Sequence, residues 1–130
     1  MPLAFLRQCR IIGSVPRLVT VIETETFARR ADKLLDSAER DVLITFLALN
    51  PTAGDVIEGT GGVRKVRFAA QGKGKSGGVR VIHYFVPDAG PLYALLLYAK
   101  SERTEMSAEQ RKMVTRLAAA LKAASRTGAR

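Results

Sequence analysis

Between Gly59 and Pro87 the chain carries Arg64, Lys65, Arg67, Lys73, Lys75 and Arg80 but no Asp or Glu. Like charges gathered on one short stretch repel one another and cost stability. An anion held among them is the simplest reason for keeping them together. The same stretch contains GKGKSGGVRVI at residues 72–82, where glycines let the backbone close on a phosphate and donate N–H groups to it. The chemistry indicated is phosphate binding by arginine, lysine and main chain.

Context decides which phosphate. Gly72, Gly74 and Gly77 spell G-x-G-x-x-G, Val79 extends this to the kinase form, and Gly74-Lys75-Ser76 matches the end of a P-loop. A dinucleotide fingerprint requires a helix directly after the glycines, because the pyrophosphate sits on that helix's N-terminus. VRVIHYFV follows instead, and its β-branched and aromatic residues favour a strand. A P-loop needs the same helix and a glycine where Ala69 stands. A kinase glycine loop does lie between strands, but its H-R-D and D-F-G partners are missing. The stretch reads as a flexible cationic connection rather than a nucleotide site.

The elements that must position it follow from periodicity. RLVTVIE (17–23) predicts a first strand. Phe27, Ala31, Leu34 and Leu35 recur at i, i+4, i+7 and i+8 and predict a helix from Thr24 or Thr26. Ser37 is the expected N-cap of a second helix with Val42, Leu43, Phe46 and Leu47 as its stripe, ended by Asn50-Pro51. Residues 52–62 read as loop, and strand-like runs follow at 63–69, 78–86 and 91–100. The last two runs are joined by a turn at Pro87-Asp88-Ala89-Gly90. The run 91–100 is apolar on both faces, which makes it a central strand. Ser107 and Gln110 form a capping-box pattern for a last helix with Met113, Val114, Leu117 and Leu121 on its apolar face.

The order β-α-α-β-β-β-α predicts an α+β fold over residues 18–124: a small, mainly antiparallel sheet packed against an N-terminal αα-hairpin, with a C-terminal helix. Residues 1–17 read as a loosely ordered extension, or as the product of a start codon placed too far upstream. Residues 125–130 read as a frayed basic tail.

On the strand that Arg80 opens, Arg80, Ile82 and Tyr84 share one face while Val81, His83 and Phe85 share the other. Lys65 and Arg67 share a face of the preceding strand, and Tyr98 and Lys100 share a face of the following one. In the right register these pairs converge on a basic, aromatic-bearing pocket, with cations for phosphate and rings for bases. The register itself is not legible from sequence. His83, the only histidine, alternates with Val81 and Phe85 and is expected to be a buried structural residue, although histidine is the usual general base. Arg64 alternates with Val66 and Phe68 and is expected to be peripheral or structural.

Composition narrows the class. The chain has 130 residues, a net charge of +9 and a pI near 10.3, values that favour a polyanionic partner, nucleic acid by default. Cys9 is the only cysteine, so an internal disulfide and a cysteine-based zinc site are excluded and a reducing cytoplasm fits. No run of about 18 apolar residues is present to span a membrane.

GDVIEGTGGVRKVRFAAQGKGKSGGVRVIHYF followed by LLLYAKSERTEMSAEQRK resembles the RelE/HigB family of bacterial toxins, its HigB-like branch in particular, from about Val19 to Leu121. The combination of G-T-G-G-x-R-K, G-K-G-K-S-G-G-x-R-V-I and Y-A-K is far more specific than any one glycine pattern. The resemblance implies the fold derived above and a toxin of a type II toxin–antitoxin pair. It further implies a ribosome-dependent mRNA endonuclease that cleaves mRNA in the ribosomal A site and inhibits translation. The partners implied are mRNA, the ribosome and a cognate antitoxin with a helix-turn-helix DNA-binding part; no membrane and no cofactor or metal are implied.

The implied chemistry uses the RNA 2′-hydroxyl as nucleophile against the adjacent phosphate. Arginine and lysine around that phosphate stabilise the developing charge, often the largest catalytic effect. A lysine crowded by other cations has its pKa lowered and suits proton transfer, which makes Lys73 and Lys75 base candidates as well as phosphate ligands. The resemblance assigns catalysis to Arg80, Lys73, Lys75 and Lys100, with RNA binding by Lys65, Arg67, Tyr84 and Tyr98. Arg80 matches the family's phosphate-binding arginine. The chain departs from RelE in holding Ser101 where RelE has an arginine, and Met106 near the place of a C-terminal tyrosine. A non-catalytic RNA- or ribosome-binding module and an inactive, antitoxin-binding relic are the alternatives.

Overall fold

The computed structural model describes residues 18–70, 78–86 and 90–127. Strand β1 (Val21–Glu23) leads into helices α1 (Glu25–Leu34) and α2 (Ser37–Leu49). Strands β2 (Asp55–Val56), β3 (Arg64–Phe68), β4 (Val79–Phe85) and β5 (Leu92–Ala99) follow, and helix α3 (Ala108–Thr127) closes the order. The five strands form one sheet in the order β1-β5-β4-β3-β2. Only the β1–β5 pair is parallel, so the sheet is mainly antiparallel, as expected.

Local chemistry sets the helix boundaries. Thr24 caps α1, its hydroxyl accepting from the Phe27 N–H (3.0 Å) and donating to the Leu95 carbonyl (2.8 Å). For α2 the N-cap is Asp36 and not Ser37, which is the first helical residue. The reason is reciprocity: Asp36 accepts from the Glu39 N–H at 2.7 Å while Glu39 accepts from the Asp36 N–H at 3.1 Å, a pair that Ser37 has no partner to make. Ser107 and Gln110 close the same reciprocal box at the start of α3. Helix α3 runs through Thr127, past the point where a frayed tail is expected; residues 128–130 lie outside the described residues, as do 1–17.

Both faces of the sheet are covered. On one, Phe27, Ala31, Leu35, Leu43 and Leu47 of the helical hairpin pack on Val79, Val81, Leu92 and Leu97. On the other, Val114 and Ala118 of α3 pack with Val63, Ile82, Tyr84, Leu96 and Tyr98. A bulge lets β5 serve both: Ile82 pairs with Leu96 and His83 with Ala94, so Leu95 is the extra residue. Thr24 then takes up the Leu95 carbonyl.

Two apolar positions depart from expectation. Val42 is 59% exposed and Met113 43% exposed, because α2 turns Leu43 and Leu47 inward and α3 turns Val114 and Ala118 inward. The stretch read as loop also holds β2, whose two residues pair with β3 through Asp55–Lys65 and Val56–Arg64. A strand this short leaves no alternation to detect.

Gly54 makes the turn into β2 with φ +90°, and a Cβ there would press on the Lys65 carbonyl and lie 2.9 Å from Val66 Cβ. Gly54→Ala is therefore expected to destabilise the protein by at least about 2 kcal/mol. Urea unfolding of the two proteins checks this; an unchanged midpoint would contradict the placement of that turn.

Candidate active site

Register brings the predicted pairs into one row. Arg67 of β3 pairs with Arg80 of β4, and Arg80 pairs with Tyr98 of β5. The next row is Lys65, Ile82 and Leu96, so Lys65 lies one pleat along from Arg67 on the same face. Lys100, just past β5, donates its N–H to the Gly78 carbonyl at 3.1 Å and is thereby tied to the start of β4. Gly78 has φ +79°, and a Cβ on it would meet the Phe68 carbonyl oxygen at 2.6 Å. The backbone is thus folded tightly against β3 just before Arg80.

Arg80 is the central group of the row. It is 8% exposed, and its Nη1 is buried with no hydrogen-bond partner among the described residues. Ion pairs among the described residues join Arg29 to Glu25, Arg30 to Glu102, and Arg40 to Glu23 and Asp32; among those residues no carboxylate pairs with Lys65, Arg67, Arg80 or Lys100. A buried donor left unpaired costs roughly 1–3 kcal/mol, more when charged. An anion that accepts from Nη1 removes that cost.

The turn after β5 shapes the rim. Arg30 donates Nε to the Leu97 carbonyl at 3.3 Å and pairs with Glu102, whose Oε1 also accepts from the Ala99 N–H at 3.0 Å. Arg103 donates to Gln110 Oε1 at 3.1 Å, the same oxygen that accepts from the Ser107 N–H. The Tyr98 hydroxyl donates to the Thr104 carbonyl at 3.3 Å. Burial raises the Tyr98 phenol, opposed by Arg80 and Arg103 and assisted by Glu105. Tyr98 therefore stays protonated at neutral pH, its hydroxyl proton given to the Thr104 carbonyl.

The model of the RelE toxin family, from the RelE/RelB toxin–antitoxin system, matches residues 20–129. The chain belongs to the RelE toxin family. It is a toxin of a toxin–antitoxin system, and an antitoxin partner goes with that family. The fold is similar to that of E. coli toxin RelE in the free state, solved as a double arginine-to-alanine variant: the TM-score is 0.53 at 12% identity, covering 77% of this chain and 97% of that one.

Within this RelE-type fold the sequence-derived residues divide. Arg67, Arg80 and Tyr98 stand in one row, with Lys65 and Lys100 at its sides. Lys73 and Lys75 lie outside the described residues; the flanking Ala70 and Gly78 stand at the Arg67–Arg80 end of the sheet. Tyr84 is on the expected face but is 3% exposed, its ring 3.4 Å from where a Gly62 Cβ would sit and within the cluster that α3 covers. Burial raises its phenol, with Arg126 opposing. In this conformation the Tyr84 ring is core and offers no face to a base. Tyr98 is likewise 3% exposed.

His83 and Arg64 sit apart from the row. His83 is fully buried and its Nε2 donates to the Ala53 carbonyl at 3.0 Å; Arg64 donates to the Gly54 carbonyl at 2.9 Å. Together they hold the 53–54 turn to the sheet. Arg103 is a cation near Tyr98 that the sequence reading does not single out. Its signal is the charged run SERTE directly after Y-A-K, in which Arg103 stands two places beyond Ser101.

Proposed function

We propose that this toxin is a ribosome-dependent mRNA endonuclease acting in the cytoplasm, cutting mRNA in the ribosomal A site without a metal and so inhibiting translation. The reading rests chiefly on Arg80: a nearly buried guanidinium with an unpartnered Nη1, in a row with Arg67 and Tyr98. A scissile phosphate is the anion that such a row suits, since arginine matches phosphate oxygens with a planar fork.

In this mechanism the RNA 2′-oxygen attacks phosphorus, the P–O5′ bond breaks, and the products are a 2′,3′-cyclic phosphate and a 5′-hydroxyl. Arg80 and Arg67 stabilise the extra negative charge on the phosphoryl oxygens. Lys65 and Lys100 hold the neighbouring phosphates, and Arg103 extends this positive rim beside Tyr98. Lys73 or Lys75 takes the 2′-hydroxyl proton, and the Lys100 ammonium donates a proton to the leaving oxygen. The antitoxin partner, carrying a helix-turn-helix DNA-binding part, keeps the toxin inactive until it is removed.

A second reading, RNA or ribosome binding without cleavage, is favoured by one observation: the only histidine is buried away from the Arg80 row, leaving the base to the 71–77 stretch. Induced expression in bacteria separates the two. Growth arrest with cut mRNA on ribosomes, lost by roughly 100-fold in Lys73→Ala/Lys75→Ala, is the expected outcome. Ribosome binding with intact mRNA would replace the catalytic reading by the binding one.

A further inference from the structure

Strand β5 outruns its neighbour at the edge of the sheet. The edge strand β1 pairs with it only at Leu92, Tyr93 and Ala94. From Leu95 to Ala99 that side of β5 has no strand beside it among the described residues. Peptide groups on such an edge need other partners, and side chains supply them. The Thr24 hydroxyl takes the Leu95 carbonyl. Arg30 Nε donates to the Leu97 carbonyl at 3.3 Å, and Glu102 Oε1 accepts from the Ala99 N–H at 3.0 Å. These last two side chains are joined, because the Arg30 guanidinium also donates to Glu102 Oε1.

Glu102 also belongs to the turn that leaves β5. Its own N–H returns to the Ala99 carbonyl at 3.0 Å, and that of Arg103 does so at 3.3 Å. Main chain and side chain of Glu102 are thus both fastened to Ala99. Lys100 lies inside that ring of bonds, its N–H held by the Gly78 carbonyl. Its exit from the sheet is therefore set on one side by β4 and on the other by Glu102, which Arg30 of α1 holds in turn. Charge follows the same plan. Glu102 is two places from Lys100 and adjacent to Arg103, yet its carboxylate goes to Arg30, while Arg103 donates to the uncharged Gln110. Lys100 and Arg103 are left without an ion pair among the described residues. The Arg30 and Glu102 side chains are 29% and 43% exposed, and ion pairs this open to water contribute little to stability. What the pair governs is position.

We infer that Arg30 and Glu102 are positioning residues for mRNA cleavage: they take the place of a missing strand beside Leu97 and Ala99 and so aim Lys100 at the leaving oxygen. The inference rests on the catalytic reading above and adds to it two residues outside the Arg80 row. A misplacement of about 1 Å at a reacting group is enough to cost roughly 100-fold in rate. Loosening this turn therefore slows the cut while leaving the fold and the ribosome contacts in place.

The test is single-turnover cleavage of a defined mRNA on ribosomes by the full chain. Toxin concentration is varied so that the maximal rate and the half-saturating concentration are read separately, and each protein is also unfolded in urea. Glu102→Ala and Arg30→Met are expected to lower the maximal rate at least about tenfold while half-saturation stays within about twofold of wild type. Their urea midpoints are expected to stay close to that of wild type. Glu102→Gln, whose amide oxygen still accepts from the Ala99 N–H and from Arg30, is expected to restore most of the rate. Because the pair acts through Lys100, Glu102→Ala is expected to cost no more than about twofold further in a Lys100→Ala background. Wild-type rates in both Glu102→Ala and Arg30→Met would overturn the inference, as would equal losses from Glu102→Ala with and without Lys100. Failure of both single variants to fold would make the pair structural and overturn it too. Wild type that leaves mRNA intact overturns the catalytic reading and this inference together. Wild type that cuts beside variants that cut as fast overturns this inference alone.

Discussion

Arg80→Ala is expected to lower mRNA cleavage by at least about 100-fold, the scale seen when one preorganised transition-state donor is removed. The same change is expected to leave unfolding free energy within about 1 kcal/mol of wild type. These two outcomes belong together. A buried arginine holding the fold would have its nitrogens paired, whereas Arg80 Nη1 has no partner among the described residues and Arg67 stands directly across from it. Removing the guanidinium forfeits packing but relieves an unpaired donor and a like-charge neighbour, effects that offset one another. Arg80→Lys keeps the charge and loses the fork, so it is expected to recover only part of the activity. Cleavage assays and urea titrations of the same preparations check both halves. An Arg80→Ala protein that cuts mRNA like wild type, or one that fails to fold, would place the function elsewhere.

The second large effect is on stability as acid is added. Burial pushes His83 down to about 4 from 6.5; the hydrogen bond to Ala53 opposes this and Arg64 adds to it. The unfolded chain therefore takes up a proton near pH 6.5 that the folded chain refuses until about pH 4. Stability from this group is complete above pH 6.5 and declines through that window at up to about 1.4 kcal/mol per pH unit, roughly 3 kcal/mol in all. Chemical unfolding at steps between pH 7 and pH 4 measures it. His83→Gln, which keeps a donor for the Ala53 carbonyl but does not titrate, is expected to flatten that part of the profile. A wild-type profile already flat between pH 6.5 and 4 would contradict the burial of a neutral His83.

Much of this architecture was legible because strong local signals agreed. The helical stripe of Phe27 and Ala31, the box of Ser107 and Gln110, and the doubly apolar run that became β5 all point to elements present in the fold. Alternation also separated Arg80, Ile82 and Tyr84 from Val81 and Phe85. What alternation does not contain is which element covers each face. Tyr84 lies on the side of Ile82, as its parity requires, yet α3 covers that side and turns the ring into core. Register is equally invisible: that Arg67, Arg80 and Tyr98 form one row depends on a bulge at Leu95, and nothing in ALLLY marks the extra residue. The cap of α2 fell one residue from its expected place because Asp36 and Ser37 are both good caps, and only Asp36 has Glu39 to reciprocate.

The most direct test of the central claim is the chemistry of the cut ends. Purified toxin is added to ribosomes programmed with a defined mRNA, and the termini of any fragments are identified by mass spectrometry. Attack by the RNA's own hydroxyl, with Arg80 and Arg67 on the phosphate, predicts a single cut in the A-site codon leaving a 2′,3′-cyclic phosphate and a 5′-hydroxyl. Intact mRNA on toxin-bound ribosomes, or fragments ending in a 3′-hydroxyl and a 5′-phosphate, would contradict it.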